Sequence, residues 1–138
     1  MPDLNQDHLF MSRYLVQNSI WWIETLGLDG IRQDTWAYAD PEFLDVWSCA
    51  IMRQYPDFSI VGEEWVDNPL MIAAQQKGFP GDEGCLEQLK DYYQVNRLRE
   101  VLGEEEAWNG GWIKLYQGMA YDRLYPDPEA MLVFADNH

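Results

Sequence analysis

The segment Leu28–Trp36 most constrains how this 138-residue chain can fold, because it is an apolar stretch that ends in charged residues. We predict a short buried strand here, followed by a loop. Side chains of a strand alternate between its two faces, so Gly30, Arg32 and Asp34 share one face. An arginine beside an aspartate favours the ionised carboxylate, as a nucleophilic carboxylate requires. Taken alone, the pair is more typical of an ordinary ion pair at a strand end than of catalysis.

Further strands and helices alternate along the chain. Apolar runs predict strands that start near residues 28, 58, 86 and 131. Asp40–Pro41 and Asn68–Pro69 each combine a helix cap with a proline suited to the first helical position. An apolar periodicity over residues 6–26 predicts a first helix, which Asn5 would cap. Strands that alternate with helices form βαβ units and a parallel sheet, so we expect the α/β class.

Polar side chains gather where the predicted strands end. They are Arg32 and Asp34, Glu63 and Glu64, and the residues from Asp136 to His138. In a (β/α)8 barrel, the carboxyl ends of the strands form the rim where catalysis takes place. Open sheets also bind ligands at this edge, and they remain the alternative. No GxGxxG or Walker loop follows a strand, which disfavours a nucleotide-binding doubly wound fold.

Charge and cysteine content restrict the partners. Nine basic residues against 24 acidic ones give a net charge of -15, which repels phosphate backbones and anionic lipid. We therefore expect no nucleic-acid partner and no membrane partner. Cys49 and Cys85 match no CxxC or metal-ligand spacing and are predicted to be small buried apolar residues rather than a disulfide framework. Residues 1–138 contain no signal peptide, and the compartment is open, with bacterial cytoplasm or periplasm expected.

Four short motifs, met in order, make the chain similar to glycoside hydrolase family 13, the α-amylase family, and within it to cyclomaltodextrinase- and neopullulanase-type enzymes. The motifs are Pro2–Asp3–Leu4–Asn5, Gly30–Ile31–Arg32–Gln33–Asp34, Gly62–Glu63–Glu64–Trp65 and Phe134–Ala135–Asp136–Asn137–His138. Leu89–Lys90–Asp91–Tyr92 is what remains of the family's pattern at barrel strand six. The resemblance implies a partial (β/α)8 TIM barrel, roughly units four to seven. Residues 1–138 would then be an internal fragment of one catalytic domain, with no second domain.

The resemblance also implies roles for single residues. Asp34 stands at the position of the family's nucleophile and Glu63 at that of its general acid/base, while Arg32 would keep the nucleophile ionised. Asn137 and His138 match the pair that precedes a third catalytic aspartate, the histidine being a substrate hydrogen-bond donor. That aspartate would be residue 139, so the isolated fragment is expected to be inactive.

The implied reaction is retaining hydrolysis of α-glucosidic bonds through a covalent glycosyl-enzyme intermediate, with carboxyl groups about 5–5.5 Å apart. The acid/base needs a raised pKa, so the two carboxylates are expected to divide the roles. The motif and the alternation favour Glu63 over Glu64 as the inward-facing carboxylate. Glu64 would be turned outward as a solvated or helix-facing charge.

Aromatic residues lie just past the strand ends. Trp36, Tyr38 and Trp65 are predicted either to stack on glucose rings or to pack under the rim, and Trp36 and Trp65 are retained as candidate substrate-binding residues. The segment Thr35–Tyr38 lacks the Lys-His pair of many true α-amylases. This favours the branch that acts on maltooligosaccharides, cyclodextrins or pullulan.

Three functions remain open after the resemblance. The first is an α-glucan hydrolase, the second a transglycosylase of the same family, and the third a non-catalytic relative that binds glycans or a protein partner. We expect no required cofactor, although calcium is compatible with the full-length enzyme, as is a homodimer.

Overall fold

The computed structural model describes residues 4–103, 108 and 110–137, and within them the chain is a mixed α/β structure with three parallel strands. The helices and strands, in chain order, are α1 Leu9–Leu26, β1 Gly30–Gln33, α2 Pro41–Gln54, β2 Ser59–Gly62, α3 Pro69–Ala73, β3 Gln88–Leu89, α4 Tyr92–Gly103 and α5 Trp112–Met119. Short 3-10 turns cover Trp36–Tyr38, Asp122–Leu124 and Pro128–Ala130. The predicted alternation of strands with helices is confirmed over these residues. None of the described helices is both long and apolar enough to cross a lipid bilayer.

The sheet has the order β1-β2-β3, and both pairings are parallel. Val61 of β2 lies opposite Arg32 on one side and Gln88 on the other. The predicted strand near residue 131 is reduced to a single parallel bridge between Lys90 and Leu132. Leu132 N–H donates to the Leu89 carbonyl at 2.8 Å, so this last segment still runs beside β3.

Local capping explains where the middle helices start. The Asp40 carboxylate accepts from Phe43 N–H at 2.8 Å, and the Asn68 side chain accepts from Leu70 N–H at 3.0 Å, which confirms both predicted caps. The predicted Asn5 cap is wrong. Its side-chain oxygen accepts from Asp7 N–H in a turn ahead of α1, and the residue that caps α1 is His8, which makes no side-chain bond there.

The core packs α1, α2 and α3 against β2, β3 and the first turn of α4. Gly62 at the end of β2 sits tightly in it, since a Cβ there would lie 2.9 Å from Leu86 and 3.2 Å from Trp36. Between the first two helices, Trp47 Nε1 donates to Ser19 Oγ at 2.9 Å. The buried cluster comprises Ile23, Trp36, Leu44, Trp47, Ile51, Phe58, Ile60, Ile72, Ala73, Leu86, Leu89, Tyr92 and Tyr125.

Cys49 and Cys85 form a disulfide, so the prediction that they are separate buried residues is wrong. Their Cα atoms are 4.9 Å apart, and the bond joins α2 to the loop ahead of β3. Beside it, the Ser48 hydroxyl oxygen accepts from Cys85 N–H at 3.3 Å. The two cysteines are 36 residues apart and meet only once this loop has packed on α2, which no spacing pattern could show.

Gln76 holds the last segment of the chain against the middle. Its side chain is fully buried and donates to the Glu87 carbonyl at 2.8 Å and to the Asp127 carbonyl at 2.7 Å. Its side-chain oxygen accepts from Asp127 N–H at 3.0 Å. Gln76 thus binds Asp127, which lies 51 positions further along the chain.

Candidate active site

Three strands deliver charged side chains to one face at their carboxyl ends. Arg32, Val61 and Gln88 form one row across the sheet. Side chains two residues further along a strand return to the same face, and in this next row stand Asp34, Glu63 and Lys90.

Glu63 lies at the centre of the cluster. Its Oε1 accepts from Arg32 Nη2 at 2.6 Å, from Tyr92 Oη at 2.7 Å and from Lys90 Nζ at 3.1 Å. The side chain is only 3% exposed. Two cations and one hydroxyl therefore surround a buried carboxylate.

The three side chains that contact Glu63 decide its charge state. Burial acts to raise the pKa of Glu63, but hydrogen bonds from Tyr92, Arg32 and Lys90 outweigh it and hold the pKa well below its usual range. The expectation that Glu63 has a raised pKa is therefore wrong. From the sequence we expected Arg32 to pair with Asp34 alone, whereas Arg32 binds both carboxylates and Lys90 adds a second cation.

Asp34 occupies the solvent side of the same cluster. Its Oδ1 lies 2.9 Å from Arg32 Nη2, and its side chain is 60% exposed. The predicted proximity of Arg32 and Asp34 is confirmed. The guanidinium thus bridges an exposed carboxylate and a buried one.

The loop after β1 is fixed to Glu63 through its backbone. Thr35 has a φ of 48°, in the left-handed region that a β-branched residue rarely adopts. Its N–H lies 3.4 Å from Glu63 Oε2, and Trp36 N–H donates to the Glu63 carbonyl at 3.0 Å. The strained turn therefore holds the loop beside Glu63.

Lys90, Tyr92 and Asn137 complete the cluster. Lys90 Nζ donates to Asn137 Oδ1 at 3.0 Å, and Asn137 Nδ2 donates to Tyr92 Oη at 2.9 Å. Asn137, a predicted site residue, is thus brought to Glu63, while His138 lies outside the described residues. Lys90 and Tyr92 were missed as site residues, although Leu89–Lys90–Asp91–Tyr92 places polar residues at a strand end.

The aromatic candidates separate into two groups. Trp36 is only 3% exposed, and its Nε1 donates to Gln75 Oε1 at 3.3 Å, so it packs under the rim and its prediction as a substrate-binding residue is wrong. Trp65 is 60% exposed and stacks nearly parallel on the Tyr92 ring, with centroids 5.3 Å apart. A cavity of about 900 Å³ is lined by Trp65, Tyr38 and Glu63, among others.

Glu64 is buried as well, so the prediction of a solvated charge is wrong. It is 2% exposed, strand alternation places it on the face opposite Glu63, and its Oε2 has no hydrogen-bond partner within the described residues. Burial raises the pKa of Glu64. A raised pKa means that the folded chain binds this proton more tightly than the unfolded chain, so the contribution of Glu64 to stability falls as the pH rises above about 4.3.

We therefore expect Glu64→Met to stabilise the chain by about 1 kcal/mol at pH 7 and by less at pH 4, because a buried carboxylate is removed whose Oε2 has no hydrogen-bond partner within the described residues. Urea unfolding at the two pH values measures this. Glu129→Met, at an exposed glutamate, is the control and should stay within about 0.5 kcal/mol of the parent. A loss of stability at pH 7 on Glu64→Met would show that this carboxylate has a partner.

No family model matches the chain. A cyclomaltodextrinase from a Bacillus species is 29% identical over 76 residues, which is 55% of this chain and 14% of the relative. A cyclomaltodextrinase from Geobacillus thermopakistaniensis is 36% identical over 67 residues, which is 49% of this chain and 11% of the relative. The chain therefore spans a small part of the curated relatives that it matches.

Solved structures show a likeness over nearly the whole chain. The α-amylase from Geobacillus thermoleovorans, solved in complex with acarbose, matches 99% of this chain with a TM-score of 0.85 and 28% identity. The match covers 29% of that enzyme. A solved cyclomaltodextrinase matches 99% of this chain with a TM-score of 0.72 and 22% identity, a level that speaks for the fold alone.

Proposed function

We propose, on the premise that this chain is a relative of the α-amylase family of glycoside hydrolases, that it is part of a retaining α-glucan hydrolase. Its three parallel strands and the segment beside β3 would correspond to units four to seven of a (β/α)8 barrel. One observation carries the proposal: Arg32 holds Asp34 and Glu63 together at the carboxyl ends of neighbouring strands.

The separation of the two carboxylates supports the retaining mechanism. Asp34 Oδ1 and Glu63 Oε1 bind the same Arg32 nitrogen at 2.9 and 2.6 Å. The two oxygens are thus no further apart than these contacts laid end to end, about 5.5 Å. This upper bound lies below the about 6.5–9.5 Å that separates the carboxyl groups of inverting enzymes and is compatible with the about 5–5.5 Å of retaining enzymes.

The proposed reaction has two displacements. The Asp34 carboxylate attacks the anomeric carbon while Glu63 gives its proton to the departing glycosidic oxygen. Glu63 then takes a proton from water, whose oxygen attacks the anomeric carbon and releases Asp34. Since Arg32, Tyr92 and Lys90 favour the anion of Glu63, the first step requires that Glu63 gains a proton and that these donors rearrange.

The surroundings support a neutral sugar substrate. Trp65 offers an exposed ring beside the cavity, and the net charge of -15 disfavours anionic ligands. We propose maltooligosaccharides, cyclodextrins or pullulan as substrates. A transglycosylase would share the covalent intermediate and remains the second candidate.

A calcium ion and a homodimer are proposed only for the full-length enzyme. Among the described residues, no group of three or more His, Cys, Asp or Glu is arranged to hold a metal ion. The reaction as proposed assigns no step to a metal. Calcium elsewhere in the full-length enzyme, and a homodimer, stay predictions.

Acarbose binding tests the proposal. Binding rather than turnover is the readout, because the third catalytic aspartate that the resemblance implies is not among residues 1–138. We expect acarbose to bind the 138-residue chain in calorimetry, and Trp65→Ala to weaken binding about 3- to 10-fold through loss of the exposed ring. Trp112→Ala is the matched control, since Trp112 is 57% exposed and outside the cavity lining. Absence of binding, or an equal loss in both variants, would contradict the proposal.

A further inference from the structure

Lys90 is buried, unlike Lys77 and Lys114. Its ammonium lies 3.1 Å from Glu63 Oε1 and 3.0 Å from Asn137 Oδ1. The Phe134 ring centroid is 5.0 Å from the same nitrogen. Lysine is almost never fully buried unless it is paired, and the carboxylate that pairs with it here is the proposed acid/base.

We propose that Lys90 is a positioning residue whose ammonium holds the Glu63 carboxylate in place as an anion and so sets the acidity at which Glu63 can donate a proton. The inference rests on the proposed function for its catalytic meaning. Its physical content, the charge of Glu63, can be measured without a substrate.

The charged groups around Glu63 show why Lys90 matters. Arg32 from β1 lies closer to Glu63, at 2.6 Å, but its side chain is 38% exposed and also binds Asp34. Tyr92 from α4 donates a hydrogen bond but carries no charge. Lys90 from the end of β3 therefore supplies the cation that is buried together with Glu63.

Asn137 fixes the ammonium from the other side. It accepts from Lys90 and donates to Tyr92, so two of the three side chains that donate to Glu63 Oε1 are held by one amide. The resemblance makes Asn137 a substrate-binding candidate. A glucan hydroxyl that took over this amide would loosen Lys90 and make it easier for Glu63 to gain its proton.

Carbon-13 NMR of labelled glutamate carboxyl groups tests the inference on the 138-residue chain. In the parent we expect Glu63 to stay ionised through the ordinary glutamate range near pH 4.3, down to acid unfolding. Lys90→Met should raise the pKa of Glu63 by about 1 or more, because an opposite charge is lost. Lys77→Met removes the exposed Lys77–Glu87 pair and should leave the pKa of Glu63 unchanged.

Lys90→Gln separates charge from structure. It keeps a hydrogen-bond donor of similar reach, so a merely structural role predicts the parent titration, whereas our proposal predicts a pKa raised as in Lys90→Met. A parent Glu63 that titrates near pH 4.3, or an unchanged pKa in either folded Lys90 variant, overturns the inference. If neither variant folds, the parent titration decides. Failure of acarbose to bind while Glu63 titrates as expected would contradict the proposed function and leave the charge role of Lys90 standing.

Discussion

Glu63→Leu is expected to lower the free energy of unfolding by about 3–5 kcal/mol at pH 7, because it leaves the buried Lys90 ammonium without its carboxylate. Tyr92 Oη loses an acceptor in the same substitution. Urea unfolding followed by circular dichroism measures the change. A loss of this size is a large share of the 5–15 kcal/mol that stabilises a typical domain.

Glu87→Leu is the matched control for Glu63→Leu. Glu87 also pairs with a lysine, at 2.8 Å, but both side chains are about half exposed, so we expect a change of about 0–1 kcal/mol. Equal losses in the two variants would show that Glu63 is not held as the structure has it.

The pH dependence of the Glu63 effect has a definite sign. The folded chain holds the pKa of Glu63 below its unfolded value, so its contribution is complete above about pH 4.3 and is lost as the pH falls toward the folded pKa. The difference between the parent and Glu63→Leu should therefore shrink in acid. A constant difference from pH 7 to pH 3 would speak for lost packing rather than lost charge.

Reduction of the Cys49–Cys85 disulfide is expected to lower the free energy of unfolding by about 3–4 kcal/mol. The bond closes a loop of 36 residues, and opening it restores conformational entropy to the unfolded chain. Thermal or urea unfolding with and without a phosphine reductant measures the effect.

The double substitution Cys49→Ser with Cys85→Ser gives the control for reduction. We expect it to unfold like the reduced parent and to be insensitive to reductant. Thiol alkylation of the unreduced, denatured parent, followed by intact mass, checks the bond directly. Free thiols in that sample would contradict the disulfide.

Local chemistry made much of the fold predictable. The caps at Asp40 and Asn68 depend on residues within three positions of each other, and Gly27 ends α1 with a φ of 63°, as its position after an apolar helix predicts. The Arg32–Asp34 pair follows from strand alternation alone. These features can be predicted without knowing which residues pack against them.

The features that the sequence did not predict depend on contacts between distant segments. Whether Trp36 stacks on a ligand or packs in the core depends on distant segments: Gln75, just after α3, accepts its hydrogen bond, and Leu86, in the loop ahead of β3, belongs to the same buried cluster. The lowered pKa of Glu63 depends on Tyr92, Arg32 and Lys90, which are 27 to 31 residues away, whereas the expected raised pKa followed from the acid/base role that the resemblance implies. The disulfide was missed because it also joins distant segments.

Gln76 has a consequence for motion around the candidate site. The segment that carries Asn137 is held to β3 by the bridge at Leu132 and, further upstream, by the three hydrogen bonds of the Gln76 side chain. A full ladder would distribute that attachment over many backbone amides, whereas here a single bridge and one side chain supply it. The segment from Asp127 to Asn137 should therefore open as a unit, at a lower free energy than β1 or β2. Each opening would carry Asn137 away from Lys90.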